Sequence, residues 1–273
     1  MPFDVETIAV LGALGVGVGA VGTLVGAGGG FLLAPVLLLL YPHDSPQTLT
    51  SISLAAVLAN SASGSVAYLR QRRVDVRSGL VFGAATLPGS VGGALAVSAV
   101  PRHVFDAIMA GALGAVAVWI ARHGSGQRIA RRRDGTERRL VDAGGTEWTY
   151  RVSLRRGAFY SVFVGFASSF LGIGGGVFHV PILVAGLGFP THVATATSHF
   201  VLVLMSGTAV ITHAVEGSYS VGHGLRRSIV LAAGVAVGAQ IGARLSLRVP
   251  ARAIERLLAA ALVLVAVRLA ISV

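Results

Sequence analysis

The chain has 273 residues, of which 54% are hydrophobic and only 12% are charged, and its mean hydropathy is +0.77. This composition excludes a soluble globule with a solvated surface and predicts that most of the chain lies in lipid. The absence of cysteine excludes disulfides, thiolate chemistry and cysteine-ligated metals.

The net charge of +11 is concentrated in one part of the sequence. Ten arginines lie between residues 122 and 156, against four acidic residues in the same stretch. Positively charged loops between apolar segments mark the cytoplasmic side of a membrane protein. The basic character therefore indicates topology rather than a polyanion site, and no nucleic acid partner is expected.

Apolar elements follow one another along the chain, five on each side of the basic stretch. About 20 helical residues are needed to cross roughly 30 Å of hydrocarbon, and most of the elements have that length. Two short ones, 30–41 and 176–188, do not, so we predict re-entrant half-helices there. The fold class is therefore an all-α polytopic membrane protein. The elements cover residues 6–26, 30–41, 47–69, 78–99, 103–121, 155–172, 176–188, 191–213, 225–246 and 252–271.

A triple glycine interrupts the apolar pattern at the same place in each half. The sequence Gly-Ala-Gly-Gly-Gly at 26–30 returns as Gly-Ile-Gly-Gly-Gly at 172–176, and a proline follows each at the same distance. The duplication predicts a first transmembrane repeat over 1–121, a cytoplasmic basic loop over 122–154 and a second repeat over 155–273. Further matches pair Thr50–Ser53 with Ala194–Thr197, and Gly89 and Gly93 with Gly238 and Gly242.

The arginines also predict the orientation of the repeats. Four arginines between residues 70 and 77 place that loop inside, so the turn at Pro101 is outside. Four more between residues 244 and 256 place the matching turn at Pro250 inside. Because five elements per half is an odd number, the two repeats are predicted to be inverted, with Arg226 and Arg227 as exceptions near the outer face.

We expect a multi-pass protein of a bacterial-type cytoplasmic (inner) membrane with both termini outside. Asp4 and Glu6 lie near the N-terminus without a basic residue, unlike the start of a cleaved signal peptide, so residues 1–40 are expected to belong to the mature fold. In the central loop, β-prone residues flank Gly144-Gly145. They predict a small hairpin, with a disordered charged linker as the alternative.

The glycine breaks are the predicted substrate site. A helix that begins within the bilayer exposes backbone N–H groups and the positive end of its dipole, which attract an anion. Glycine lets a ligand approach those amides closely, although glycine used only for close helix packing is the alternative. Repeated broken helices typically line the substrate site of a transporter. The predicted residues are Gly28, Gly29, Gly30, Gly174, Gly175 and Gly176.

Polar side chains on the neighbouring elements complete the candidate site. Hydroxyl groups donate to an oxyanion without a fixed charge, although each could instead bond to a carbonyl one turn back. Asn60 and Ser61 lie deeper on the third element. The substrate-binding candidates are Ser51, Ser53, Thr195, Thr197, Ser198 and the amide of Gln240.

Histidines are the only side chains within the spans that titrate near neutral pH. His179 and His199 are the candidates for proton coupling, with His213 near the end of the eighth element. Each could instead be a packing residue. No acidic residue lies in the middle of a span, which disfavours a cation site or carboxylate relay and again favours an anion. No metal or other cofactor is expected.

The paired motifs Leu-Val-Gly-Ala-Gly-Gly-Gly-Phe-Leu-Leu-Ala-Pro and Leu-Gly-Ile-Gly-Gly-Gly-Val-Phe-His-Val-Pro resemble those of the TauE/SafE sulfite exporter family, of the 4-toluene sulfonate uptake permease type. The resemblance covers both halves. It implies a cytoplasmic-membrane transporter of sulfite or of organosulfonates such as sulfoacetate, acting as an exporter. Related thiosulfate carriers use cysteines, which this chain lacks.

The resulting hypothesis is a proton-coupled secondary transporter that binds a small sulfur oxyanion and works by alternating access, with a homodimer as a possible assembly. The alternatives are an anion channel and a non-transporting membrane scaffold. An enzyme is disfavoured because the sequence contains no His-Glu-x-x-His, no Gly-x-Ser-x-Gly and no paired acids within a span.

Overall fold

The computed structural model describes residues 5–123, 135–219 and 224–272. Within these ranges the regular secondary structure consists of helices and one hairpin, joined by short connections. The predicted elements form helices at nearly the expected positions, which confirms the all-α membrane fold. A π-helical turn, Ile182–Gly186, extends α7. The helices are α1 (Val5–Val25), α2 (Gly30–Leu40), α3 (Pro46–Arg70), α4 (Val76–Ala96), α5 (Arg102–His123), α6 (Leu154–Leu171), α7 (Gly176–Pro181), α8 (Thr191–Val215), α9 (Gly224–Leu245) and α10 (Ala251–Ser272).

Five helices in the described ranges are long and apolar enough to cross a membrane, namely α1, α3, α4, α8 and α9. The apolar helices Gly30–Leu40 and Gly176–Gly186 are shorter, as predicted from the sequence. The protein is therefore a multi-pass membrane protein. The re-entrant path of the two short helices stays a prediction.

Local sequence signals explain where α3 and α4 begin. Ser45 precedes α3 and its hydroxyl accepts a hydrogen bond from the N–H of Thr48 at 3.2 Å, with Pro46 in the first helical position. Asp75 precedes α4 and accepts from the N–H of Ser78 at 3.0 Å. Such caps satisfy amides that have no partner inside the helix.

Each half of the chain packs mainly against the other half. Helix α1 lies along α9, and α6 lies along α4. Glycine makes both approaches possible: a Cβ on Gly19 would lie 2.6 Å from the Cα of Val235, and a Cβ on Gly165 would lie 3.1 Å from the Cα of Thr86. Because α1 and α6 are each followed directly by a matching glycine motif, the same contact occurs twice with the halves exchanged.

The contacts also correct the alignment of the two halves. Gly26 packs against the Cα of Thr195, and Gly172 packs against the Cα of Thr50. Thr50 therefore corresponds to Thr195, one residue after the predicted partner Ala194. The cause is the connection before the next helix, which spans residues 41–45 in the first half and only 187–190 in the second.

The turns at Pro101 and Pro250 lie at opposite ends of the bundle. Near the Pro101 turn, Arg102 donates to the carbonyl of Asp44, just before α3 begins, at 2.8 Å. Near the Pro250 turn, Ala243 on α9 accepts from the amide of Gln71, just after α3 ends, at 3.0 Å. This separation agrees with an inverted arrangement, which stays a prediction together with the assignment of the cytoplasmic end.

Arg227 is one of the two predicted exceptions to the arginine pattern, and the structure explains it. Its guanidinium pairs with the carboxylate of Asp44 at 2.6 Å and lies 3.7 Å from the ring centroid of Tyr41. Arg226 is exposed. A cation with an ion-pair and aromatic partner does not require the cytoplasmic side.

The basic loop contains the predicted hairpin, formed by β1 (Thr136–Val141) and β2 (Glu147–Val152) in antiparallel pairing. One face of the hairpin packs on the connection between α7 and α8: Tyr150 lies 4.8 Å from Phe189, centroid to centroid. The other face carries a cross-strand ion pair between Arg151 and Glu137 at 3.4 Å. Residues 124–134 of the predicted loop lie outside the described residues.

Candidate functional site

The two glycine breaks contact each other in the buried centre of the molecule. A Cβ on Gly30 would lie 2.6 Å from the carbonyl carbon and oxygen of Ile173, and Gly176 packs in the same way on Ala27. All residues of 26–30 and 172–176 are buried. The structure therefore brings into contact the two breaks that contain the six glycines predicted from the sequence.

A glycine of the break lies directly before each short helix. Gly29 precedes α2 with φ of 79°, a left-handed conformation that glycine adopts at little cost, and its carbonyl accepts from the N–H groups of Leu32 and Leu33. Gly175 precedes α7, and its carbonyl accepts from Phe178 and His179. The first two amides of each short helix, those of Gly30 and Phe31 in α2 and of Gly176 and Val177 in α7, precede these first hydrogen bonds of the helix.

Two predicted hydroxyl groups hold the breaks from the opposite half. The hydroxyl of Ser53 donates to the carbonyl of Gly172 at 2.6 Å. In the reciprocal contact, the hydroxyl of Ser198 donates to the carbonyl of Gly26 at 3.2 Å. Both serines therefore lie at the candidate site, and in this conformation they bind the backbone of the glycine breaks.

The other predicted polar residues have partners elsewhere. Ser51 donates to the carbonyl of Thr48 at 2.8 Å, and Thr195 donates to that of His192 at 3.0 Å, which is the one-turn-back geometry. Thr197 accepts from the N–H of Asp75 at 3.0 Å. Gln240 donates to Ser63 on α3 at 2.8 Å, away from the glycine breaks.

His199 belongs to a buried polar network beside the first break. Its Nε2 lies 3.3 Å from the hydroxyl oxygen of Thr23, and that hydroxyl donates to the Oδ1 of Asn60 at 2.7 Å. The ring of Tyr68 packs edge-on at 5.7 Å, and Gly64 leaves room for the imidazole. The sequence analysis did not single out Thr23, although a polar side chain in an apolar helix is a general signal of function.

The other two histidines lie in separate places. The Nε2 of His179 is 3.1 Å from the hydroxyl of Ser161, and its ring packs edge-on against Phe82. The buried Nδ1 of His213 lies 3.6 Å from the carboxylate of Glu216. In the part of the chain that the structure describes, no group of three or more histidine or acidic side chains could hold a metal ion.

Asp75 is a buried acidic residue that the sequence analysis did not identify, because it lies in a short turn between two spans. Its carboxylate accepts from the hydroxyl of Ser78 at 2.7 Å and from that of Tyr150 at 2.9 Å. Burial raises the pKa of Tyr150 and the neighbouring charge of Asp75 raises it further. The hairpin is therefore attached to the start of α4 by a neutral tyrosine and a carboxylate.

Comparisons with known proteins agree with this architecture. A family model described as Sulfite exporter TauE/SafE matches residues 11–269. The chain is 30% identical over 214 residues to the probable membrane transporter protein YunE of Bacillus subtilis (strain 168), covering 76% of this chain and 78% of that relative. It is 26% identical over 215 residues to the probable membrane transporter protein MJ0441 of Methanocaldococcus jannaschii, covering 76% and 73%.

No solved structure matches the chain. The family model nevertheless spans both halves and both glycine breaks. Together with the membrane helices, these matches indicate a multi-pass membrane transporter. The chain belongs to the sulfite exporter TauE/SafE family.

Proposed function

We propose that the protein is a secondary transporter that exports a small sulfur-containing anion, such as sulfite or an organosulfonate like sulfoacetate. The observation that carries this proposal is the direct contact between the two glycine breaks, from which two short helices start in the buried centre. This arrangement concentrates backbone donors and the positive ends of helix dipoles at one place.

The chemistry around the breaks favours an anion over a cation. The side chains that contact the breaks are hydroxyl, amide and apolar groups, such as Ser53, Ser198, Asn60 and Val57. Neutral donors in a site of low dielectric attract an oxyanion, and they do so without a fixed opposite charge that would slow its release.

The contacts at the two ends of the bundle support a mechanism of alternating access. At one end Asp44 of the first half pairs with Arg227 of the second. At the other end the hairpin is held by the ion pair between Arg73 and Asp142 and by the Tyr150–Asp75 hydrogen bond. We propose that the breaks face each side in turn as one half rocks against the other and one set of contacts opens.

The test is uptake of radiolabelled sulfite and sulfoacetate into proteoliposomes, with and without an imposed pH gradient. Saturable uptake that the gradient accelerates is the expected result. Gly175→Leu should abolish it, because a side chain at this position overlaps Ser168, Met205 and Val164. Flux that does not saturate would favour a channel, and no flux of either anion would overturn the proposed substrate.

Proton coupling is proposed to use His199, which belongs to the network beside the first break, or His179 on α7. His199→Gln and His179→Leu should each be measured for flux with and without the pH gradient. Loss of the pH-driven component with retention of downhill flux would identify the proton carrier. Full pH-driven flux in both variants would exclude these histidines from coupling.

A further inference from the structure

The two glycine breaks are not equivalent, and the difference lies in the side chain that faces each capping glycine. A Cβ on Gly29 would meet the Cγ1 of Val18 at 2.9 Å and the Nδ2 of Asn60 at 3.2 Å. A Cβ on Gly175 would meet the sulfur of Met205 at 2.9 Å and the hydroxyl of Ser168, from another helix, at 2.8 Å. An amide donor therefore faces the first break at the place where a thioether faces the second.

The amide of Asn60 is fully buried, and its Nδ2 has no hydrogen-bond partner. A buried donor without a partner is rare, because it has lost its hydrogen bonds to water without replacing them. This donor faces Gly29, directly before α2, where the amides of Gly30 and Phe31 precede the first hydrogen bond of the helix. Donors from two independent sources therefore meet at one place.

The orientation of the amide is held by the other two members of the network. The hydroxyl of Thr23 donates to the Oδ1 of Asn60, so Thr23 accepts when the Nε2 of His199 donates to it. These bonds run in one direction, from His199 through Thr23 to Asn60, and such chains polarise each bond in turn. Because the Oδ1 is already occupied, the free end of Asn60 is a donor only.

We propose that the transported anion binds at the first glycine break, on the amides of Gly30 and Phe31 and the Nδ2 of Asn60. Thr23 and His199 are positioning residues that hold the amide. The ligand is an oxyanion, because the Nδ2 of Asn60 and the two amides at the start of α2 are donors that require an acceptor oxygen. The inference rests on the proposed transport of a sulfur anion and adds which half of the duplicated fold binds it.

The first experiment measures sulfite and sulfoacetate binding to the purified full-length protein in nanodiscs, by calorimetry and by anion-dependent thermal stabilisation. Asn60→Asp keeps the shape of the side chain, replaces the donor by an acceptor and adds a like charge. The Kd for sulfite should rise by about tenfold or more, the loss expected for a hydrogen bond to a charged group. An unchanged Kd would overturn the proposal.

A second variant guards against a folding defect in Asn60→Asp. Asn60→Leu places an apolar side chain where the matching position of the second half already accommodates Met205, so this variant should insert and fold. It should lose the anion-dependent stabilisation as well. Retained stabilisation by sulfite in Asn60→Leu would overturn the proposal.

Matched controls test whether the effect is specific to the first break. Ser61→Ala removes a neighbouring hydroxyl that bonds to the carbonyl of Leu58 in its own helix, and Met205→Leu changes the side chain that faces Gly175. Both should bind sulfite within about twofold of the unmodified protein. Ser168 also faces Gly175 with a hydroxyl that has no partner, so loss of binding in Ser168→Ala with normal binding in Asn60→Asp would move the site to the second break.

The positioning role of Thr23 needs a different comparison. Thr23→Val has nearly the same shape but lacks the hydroxyl, so it should weaken sulfite binding several-fold, whereas Thr23→Ser should restore it. A purely structural role predicts that both variants change thermal stability without changing the Kd. That result would overturn the assignment of Thr23.

The outcomes also separate this inference from the proposed function. If the unmodified protein transports sulfite and Asn60→Asp transports it with an unchanged KM, the transport function stands and the site assignment is overturned. If it transports neither sulfur anion, the proposed substrate fails. The site is then judged by stabilisation with sulfite, sulfate and phosphate, and the absence of any shift in the unmodified protein overturns it.

Discussion

Glycine residues in this protein differ in what a side chain would contact, and the difference can be measured. A Cβ on Gly30 would lie 2.6 Å from the carbonyl of Ile173 and from the Cγ2 of Val57, whereas a Cβ on Gly17 would meet nothing within 4 Å. Gly30→Ala should therefore destabilise the protein by about 1–3 kcal/mol, as overpacking does. Gly17→Ala should change stability by about 0.5 kcal/mol or less.

The measurement is thermal unfolding of the two glycine variants in the same detergent, together with sulfite flux. Gly30→Ala should lower the midpoint and the flux, and Gly17→Ala should change neither. Equal midpoints for the two variants would contradict the close contact between the glycine breaks.

Tyr150 provides a prediction about pH. Burial and the carboxylate of Asp75 raise its pKa above the ordinary value of 10.0, so the hydroxyl stays protonated and donates. A group whose pKa is raised by folding contributes stability that is present below its unfolded pKa and is lost only as the pH rises through the folded value. Hairpin docking should therefore be constant between about pH 7 and pH 9 and should weaken only above about pH 10.

Trp148 on the same hairpin reports this docking, since Arg73 lies 5.9 Å from its ring centroid. Its fluorescence should be followed against pH in a Trp119→Phe background, where Trp148 is the remaining tryptophan. Tyr150→Phe should shift the emission and expose the hairpin to protease already at neutral pH, because the hydrogen bond to Asp75 is lost. A phenylalanine variant with an unchanged spectrum would contradict the role of this bond.

The hairpin is attached to the end of α3 and the start of α4. The N–H of Ala143 donates to the carbonyl of Gln71 at 3.0 Å, so these two backbones are in direct contact. The chain has no cysteine of its own, which makes engineered pairs unambiguous. Gln71→Cys with Ala143→Cys should cross-link efficiently under mild oxidation.

A protease site inserted within residues 124–134 makes the cross-link visible, because cleavage separates position 71 from position 143. The cross-linked halves should migrate together until a reductant is added. Gln71→Cys with Thr149→Cys is the matched control, since Thr149 lies on the exposed part of the hairpin. Equal yields from the two pairs would show that the hairpin is not held in the observed position.

The sequence predicts the length of the short helix α2 but not the contact that holds its end. Its length follows from the glycine break and from the polar residues after Leu40. Its end, however, is held by Arg102, which donates to the carbonyl of Leu38 at 2.8 Å and pairs with Asp106 at 3.0 Å. No local pattern connects residue 38 with residue 102, so this contact could not be predicted.

The arrangement of the whole molecule predicts the accessibility of its two proline turns. Pro101 and Pro250 are both exposed, and they lie at opposite ends of the bundle. In intact cells an impermeant maleimide should label Pro101→Cys directly and should label Pro250→Cys only after the membrane is permeabilised. Labelling of both from the same side would contradict the inverted repeats.

Local sequence patterns were sufficient to predict the membrane class, the approximate helix boundaries, the short elements after each triple glycine and the hairpin around Gly144-Gly145. Each of these follows from interactions between residues close in the chain: apolar length against bilayer thickness, glycine at a break, and turn residues between β-prone segments. The family could also be predicted from the sequence, because its glycine motif is a local pattern that occurs twice.

Which residues of the two halves meet depends on the packing of the helices in three dimensions. Thr23, Asn60 and His199 come from three helices, and the bonds from Ser53 to Gly172 and from Ser198 to Gly26 cross between the halves. The register of the halves changed by one residue because a connection is one residue shorter. Such contacts depend on how helices far apart in the chain pack, and packing is set by the shapes of all the side chains together rather than by any local pattern.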